Sequence, residues 1–312
     1  MAEFSGQPAP VNLRVWLREF RLPFATLSIA LVGVGTAAAA LAGPLDPGLL
    51  LLTLAGILLI HVGTNTVNDV FDYAGGTDRV NREPTPFSGG SRVLVEGLLK
   101  PGAVYRVALA CLAAGSAIGL YLAWARGWPI LALGLVGVGL GFFYVEPRVN
   151  LAARGLGELA VGLGFGPLIV GGTYYVQTQR FDPPAIAAGT VMGLMVAAVL
   201  WVNELPDYTA DRESGKRNLV VRLGRERAAR VFPGLLGAAY ALLAASVALR
   251  LLPPTALLPL LTLPMAAKAV RIARAHHSET PKLIPANAAT VMGALFSGIL
   301  LTAGIALGLV LP

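Results

Sequence analysis

Charge is scarce in this chain. Only 13% of its 312 residues are Asp, Glu, Lys or Arg, against about 25% in an average soluble domain. Cysteine is scarcer still. Cys111 stands alone, so no intramolecular disulfide can form and the redox compartment is not legible from thiols. Histidine numbers three, and the neighbours His276 and His277 lack metal-ligand spacing. The first 21 residues are polar, hold three arginines and lack an A-x-A cleavage site, so no cleaved signal peptide is expected. Apolar residues fill the space these absences leave. They make up 55% of the chain, glycine adds 37 residues, and the mean hydropathy is +0.69. A soluble enzyme, a disordered chain and a disulfide scaffold are excluded. The alternating pattern of a membrane barrel is absent. What remains is an all-α, polytopic membrane bundle.

A bilayer core needs about 20 apolar residues per helix. The chain offers nine candidate spans, at 23–43, 47–67, 102–124, 129–146, 155–177, 184–203, 231–250, 253–270 and 288–310. The fourth and eighth are short, and the eighth carries Pro253, Pro254, Pro259 and Pro264. With the N-terminus placed in the cytoplasm, 21 of the 24 Lys and Arg fall on the inner side. Only Arg126, Arg180 and Arg250 fall outside. That asymmetry supports both the count and the orientation. The expectation is one cell-membrane domain over 1–312, with residues 1–20 a polar cytoplasmic segment. The net charge of +7 then reflects topology, anionic lipid and an anionic substrate. Nucleic acid is not an expected partner, and no obligate protein partner is indicated.

The seven aspartates are unevenly placed. Asp46 and Asp182 sit in short outer loops. The other five follow two spans on the inner side: Asp69, Asp72 and Asp78 after the second, Asp207 and Asp211 after the sixth. The first string reads N65-T-V-N68-D69-V-F-D72 and the second N203-E-L-P-D207-Y-T-A-D211. Spacings of three and four share a helix face, so Asn65, Asp69 and Asp72 point together, as do Asn203, Asp207 and Asp211. Ionisable groups at membrane depth face cavities and carry function. Paired carboxylates without His or Cys suit Mg²⁺, a hard ion shared between a few acids and substrate phosphates. Basic residues beside them, among them Arg79, Arg82, Arg92, Arg212, Lys216 and Arg217, complete the chemistry of a diphosphate site. The two sets can meet if the second and sixth spans are neighbours.

At these motifs the sequence resembles the UbiA superfamily of intramembrane aromatic prenyltransferases. Three longer strings, 154–168, 171–177 and 203–224, are similar to the branch that prenylates 1,4-dihydroxy-2-naphthoate in menaquinone synthesis. The resemblance runs from about 20 to 310. It implies a nine-helix bundle around a central cavity, with Asp69, Asp72, Asp207 and Asp211 holding Mg²⁺. It further implies that Asn68 and Asn203 line the pocket and that Lys216 contacts diphosphate. The substrates implied are a polyprenyl diphosphate and an aromatic acceptor. Two departures stand out. Y-V-E-P-R (144–148) replaces a Y-S-x-P-P-R type stretch, and Asp78 lies further from Asp72 than in the plainer motif.

An allylic diphosphate ionises when its leaving charge is stabilised by metal and cations, and a dry cavity then keeps water from the carbocation. Tyr144 is a candidate to stabilise the cation or orient the diphosphate, or it belongs to an interfacial aromatic belt. Arg148 and Arg154 either reach diphosphate or mark the inner side. Arg92, after a Gly-rich turn, is a candidate for phosphate or the acceptor's carboxylate. His61, two turns before Asp69, reads as a packing histidine. Glu158 and Glu204 are acids near membrane depth. Seven glycines of the third to sixth spans (Gly134, Gly137, Gly139, Gly141, Gly162, Gly164, Gly166) either let helices approach, the reading favoured for most of them, or leave a groove for an isoprenoid. Hydroxybenzoate, homogentisate, haem, chlorophyllide and glycerol-phosphate ether lipids stay open as acceptors. A secondary transporter is the alternative of a different class, against which the acids lie at one face instead of the midplane. A CDP-alcohol phosphotransferase lacks its D-G-x-x-A-R start here.

Overall fold

A computed structural model describes residues 12–311. The expected polar N-terminal segment falls partly outside them, and its described part forms a short helix, α1 (Leu13–Glu19). Twelve further α-helices follow. They are α2 (Leu22–Ala42), α3 (Pro47–Gly75), α4 (Thr77–Val80), α5 (Pro101–Arg126), α6 (Trp128–Phe142), α7 (Gly157–Leu163), α8 (Ile169–Thr178), α9 (Pro183–Glu213), α10 (Leu219–Leu223), α11 (Arg225–Ala248), α12 (Leu263–His276) and α13 (Thr280–Leu307). No strand occurs among the described residues, which contain one isolated bridge, Thr85 to Ser88.

Eight of these helical segments are long and apolar enough to cross a membrane. They match eight of the nine expected spans. The fourth expected span is α6, only 15 residues long. Two crossings are not plain α-helix. The fifth joins α7 to α8 through a π turn, Gly164–Leu168, around Pro167. The eighth begins as a 3₁₀ segment, Pro254–Thr262, before α12. Proline lacks the N–H that an α-helical ladder needs, so its clustering there produces the tighter winding.

α9 is the most buried span, and α2, α7, α8, α11 and α13 pack around it. Leu31 of α2, Met192, Met195 and Leu205 of α9, Phe232 of α11 and Leu283 of α13 form the centre of the core. α3 pairs chiefly with α5, and α5 with α6, in a second group. α2 and α8 pack on both α3 and α9 and stand between the two groups. The two motif-bearing helices are therefore not packed along each other, as the sequence had left open. Their motif ends are joined through the little helix α4, which touches both.

The end of the bundle away from the motifs is marked by charge pairs. Arg126 lies 3.7 Å from Asp46, and Arg180 lies 3.4 Å from Asp182. Trp124 and Trp128 stand 79% and 76% exposed beside Arg126, as interfacial aromatics do. Asp46 caps the start of α3 and Asp69 lies 23 residues on, about 34 Å at 1.5 Å per residue. The paired aspartates and the clustered ones thus occupy opposite ends of the bundle.

The seven glycines divide differently from expectation. Gly141 and Gly166 allow close approach and Gly162 makes an ordinary contact, but Gly134, Gly137, Gly139 and Gly164 face open space. Gly134, Gly137 and Gly164 line the cavity, so for them the groove reading replaces the packing one. At Gly166 an added methyl would stand 2.6 Å from Gly193 Cα of α9. Gly166→Ala is expected to destabilise the fold by about 1–3 kcal/mol through overpacking, read as a lowered thermal transition of the detergent-purified protein. Gly134→Ala is expected to leave that transition unchanged.

Candidate active site

Helix ends build the site. α3 continues through Asn65, Asn68, Asp69 and Asp72 and stops at Gly76, whose φ of +89° is a left-handed cap that glycine adopts without strain. The chain reverses into α4 and buries Asp78 beside the acids of α3. α9 likewise carries Asn203, Asp207 and Asp211 to its last turns. Gly215, at φ +81°, then turns Lys216 back, and the Lys216 N–H donates to the Asp211 carbonyl at 2.8 Å.

Lys216 joins the two motifs. Its Nζ lies 3.7 Å from Asp211 Oδ1 and 3.9 Å from Asp72 Oδ2. Burial alone lowers an ammonium pKa, but the Asp211 and Asp72 carboxylates outweigh it and hold Lys216 well above its ordinary value. The loop between α4 and α5 makes a second bridge. Asn81 Nδ2 donates to Asp207 Oδ1 at 2.9 Å and the Gly89 N–H to Asp207 Oδ2 at 3.2 Å. Two residues on, the Ser91 N–H donates to Asp69 Oδ2 at 2.8 Å. One glycine-rich turn therefore holds an aspartate from each motif. Burial, then Asp72 and Asp69, pushes the Asp78 carboxyl up to about 8.

The N-terminal helix closes this end. Glu19 is fully buried and accepts from Ser91 Oγ at 2.6 Å. Arg18 donates to the Ser91 carbonyl at 2.9 Å and forks onto Glu96 at 2.6 and 2.8 Å. Arg21 sits at φ +47°, a conformation that costs a side-chain-bearing residue about 1–2 kcal/mol. Its guanidinium lies 3.9 Å from Asp69 and over the Phe24 ring.

Beneath the acids lies a cavity of about 610 Å³, within the range of ligand sites. Arg21, Asn65, Asn68 and Tyr144 line its charged end. Its deeper wall is almost wholly apolar and reaches Leu122, Ile130 and Val176. Burial, then the Glu204 carboxyl, raises the Tyr144 phenol well above its ordinary value and keeps it protonated. Gly157 stands against its ring, where a methyl would approach Tyr144 Cε2 to 3.2 Å.

The expected site residues have unequal fates. Asp69, Asp72, Asp78, Asp207, Asp211 and Lys216 come together, and Asn65, Asn68 and Tyr144 line the adjoining cavity. The acids do not form one cage. Among the described residues no three of His, Cys, Asp and Glu are grouped as a ready metal site, because Lys216 stands between Asp72 and Asp211. Arg92 Nη1 donates to the backbone carbonyl of Asp78 at 2.7 Å and so fastens the loop. Arg148 and Arg217 are exposed, and among the described residues their side chains bond to none of the motif acids. Glu158 accepts from the Leu219 N–H at 2.9 Å and so anchors α10.

Four contributors were not singled out in the sequence. Glu19 and Ser91 lie outside any motif. Asn218 donates to Asp211 Oδ2 at 2.7 Å while capping α10. Asn287 is the most informative. Pro206, inside α9, has no N–H for the Val202 carbonyl four residues before it. Asn287 of α13 supplies the missing donor at 3.0 Å, and its Nδ2 also donates to Asn203 Oδ1 at 2.7 Å. A proline in an apolar span and a lone asparagine in another were the signals that could have paired them.

The UbiA prenyltransferase family model matches residues 26–291. The chain belongs to this family. It is 32% identical over 296 residues to the 1,4-dihydroxy-2-naphthoate octaprenyltransferase of Escherichia coli K12, covering 94% of this chain and 95% of that protein. It is 28% identical over 298 residues to the 2-carboxy-1,4-naphthoquinone phytyltransferase of Synechocystis, covering 95% and 94%. The apo structure of a UbiA homolog from Aeropyrum pernix K1 has a similar fold, with a TM-score of 0.70, 22% identity and coverage of 91% and 98%. A UbiA homolog from Archaeoglobus fulgidus bound to GPP and Mg²⁺ aligns with a TM-score of 0.57 at 17% identity, covering 92% and 99%. As a UbiA prenyltransferase the chain is an integral membrane protein, and the transporter reading falls away.

Two outcomes test this geometry. Burial, then the Asp69 charge, raises Glu19 from an ordinary 4.5 to about 7. A carboxyl raised on folding stabilises fully below its unfolded value and loses that contribution as pH rises through the folded one. Wild-type stability is therefore expected to fall between about pH 4.5 and 7 through this group. Glu19→Gln should flatten that stretch of a plot of Tm against pH. Asn287→Leu leaves the Val202 carbonyl bare, at an expected cost of about 1–3 kcal/mol, with a lower Tm and reduced turnover.

Proposed function

We propose that this UbiA-family chain transfers a polyprenyl group from an allylic diphosphate to 1,4-dihydroxy-2-naphthoate, with Mg²⁺ assisting, in quinone synthesis. The observation that carries the reading is Lys216 set between Asp72 and Asp211 at the mouth of a deep apolar cavity. A molecule with a diphosphate head and a hydrocarbon tail matches that junction. The naphthoate acceptor rests on the named activities of relatives that align over nearly the whole chain.

The residues present fit a hard divalent ion. The donors at the mouth are carboxylate and amide oxygens, and Asn68 Oδ1 is buried without a partner. Among the described residues no imidazole or thiolate shares the mouth. An ion that keeps waters and takes one or two carboxylates plus phosphate oxygens needs no prebuilt cage. Asp69, Asp72, Asp207 and Asp211 would hold it, and when bound it supplies positive charge against the leaving diphosphate. Lys216 and Arg21 add fixed cations beside the same oxygens. The Tyr144 phenol stays protonated and can donate to a diphosphate oxygen. As the allylic C–O bond breaks, its electron pair leaves with the diphosphate. The apolar walls then withhold water until a ring carbon bonds to the allylic carbon, and that ring carbon sheds the group it bore, its proton or its carboxylate as CO₂, so that the bonding pair returns to the ring and restores aromaticity.

The domain is read as nine crossings in the cell membrane, α6 being the short one. Its motif end and N-terminal helix face the cytoplasm. The distribution of 21 cations against three supports that sidedness.

Purified protein with a labelled polyprenyl diphosphate, Mg²⁺ and a panel of acceptors tests the proposal. Lipid-soluble product is expected with 1,4-dihydroxy-2-naphthoate, with loss on chelation and at least about a hundredfold loss in Asp69→Ala and Asp207→Ala. Full activity in either variant removes the carboxylate assignment. Product with 4-hydroxybenzoate alone overturns the acceptor.

A further inference from the structure

The cavity wall nearest the acids carries polar groups that an isoprenoid does not require. Asn68, Asn65, Thr64 and His61 follow one another on the cavity-lining face of α3 at steps of three, one and three, which keep to one side of a helix. Below His61 the same face turns to Ile60, Ile57 and Gly56. Its next hydroxyl, on Thr53, is already bonded to the Leu49 carbonyl of its own helix. The polar stripe thus ends at His61, seven residues and about 10 Å below Asn68. A two-ring aromatic standing at the mouth covers much of that distance.

His61 is buried, at 8% exposure, and its Nδ1 lies 2.8 Å from Ser28 Oγ on α2. Ser28 is fully buried. His61 Nε2 is buried without a partner. Phe165 of the π turn meets the imidazole edge-on, with centroids 5.5 Å apart at 89°, and lines the cavity beside it. The ring is therefore held in place with one hydrogen-bonding atom left over.

That atom selects its ligand. If the Ser28 hydroxyl donates to Nδ1, Nε2 carries the proton and donates. If Nδ1 donates to Ser28, Nε2 accepts. A ligand hydroxyl answers either form, since it both donates and accepts. A hydrocarbon answers neither and would leave a buried polar atom bare. The opposite wall, α6 with Gly134 and Gly137, is smooth and apolar and suits the chain.

We propose that His61, oriented by Ser28, binds a hydroxyl of the aromatic acceptor and seats its ring beside Phe165 in the upper cavity. The proposal rests on the prenyl-transfer reading for the identity of the acceptor, and the test separates the two. Wild-type protein in nanodiscs, with Mg²⁺ and a non-ionising prenyl thiodiphosphate, is titrated with 1,4-dihydroxy-2-naphthoate in a calorimeter. His61→Leu and Ser28→Ala are expected to weaken acceptor binding about tenfold, the value of one buried hydrogen bond. Affinity for the thiodiphosphate alone should stay within about twofold. His61→Gln keeps a donor and an acceptor and should recover part of the loss. In turnover assays the acceptor KM rises and the prenyl diphosphate KM does not. Ser28→Ala changes volume little and keeps the test valid if His61→Leu folds poorly. Unchanged acceptor binding in the variants overturns the proposal. So does a wild-type protein that does not bind the acceptor, or a loss that falls on the thiodiphosphate instead. If the acceptor binds through His61 and no prenyl group is transferred, the transfer reading fails and the hydroxyl site stands.

Discussion

Everything at the motif end of this bundle depends on holding like charges together away from bulk water. Asp69, Asp72, Asp78, Asp207 and Asp211 approach one another in a buried region, and isolated carboxylates are costly to bury. Lys216 meets the demand between Asp72 and Asp211. Backbone N–H groups of Gly89 and Ser91 meet it elsewhere. The balance is left incomplete, and it favours the arrival of further cations with an anionic ligand. A site fully neutralised by its own lysines would have no such preference.

Helical architecture was legible because it follows from composition and from the length of apolar runs. The placement of the acids was legible because three- and four-residue spacing fixes a helix face. Both motifs prove helical throughout, inside α3 and α9. Adjacency was not legible, since nothing in the spacing of Asp69 or Asp207 says which helices touch. The answer is a bridge: α4, a glycine-rich loop and one lysine span a gap that α2 and α8 wall in. The loop-fastening contact of Arg92 was not legible for the same reason. Its left-handed backbone, at φ +67°, carries the guanidinium onto the Asp78 carbonyl.

Glycine shows the limit from another side. Composition says that small residues are plentiful, not which of them meet a neighbour. Gly166 and Gly193 bring the π turn against α9, while Gly134 and Gly137 face the cavity and keep it wide. The same residue type closes one helix contact and opens the neighbouring wall.

Pro206 carries a consequence for assembly. It strips one rung from α9, and the replacement donor, Asn287, lies 85 positions after the Val202 carbonyl it serves. During synthesis from the N-terminus, the sixth crossing enters the bilayer with a bare carbonyl beside Asn203. It stays so until the final helix arrives. Maturation of the catalytic pocket is therefore tied to the last insertion event, and a nascent chain stalled before it holds both acid motifs without the strut that sets the second.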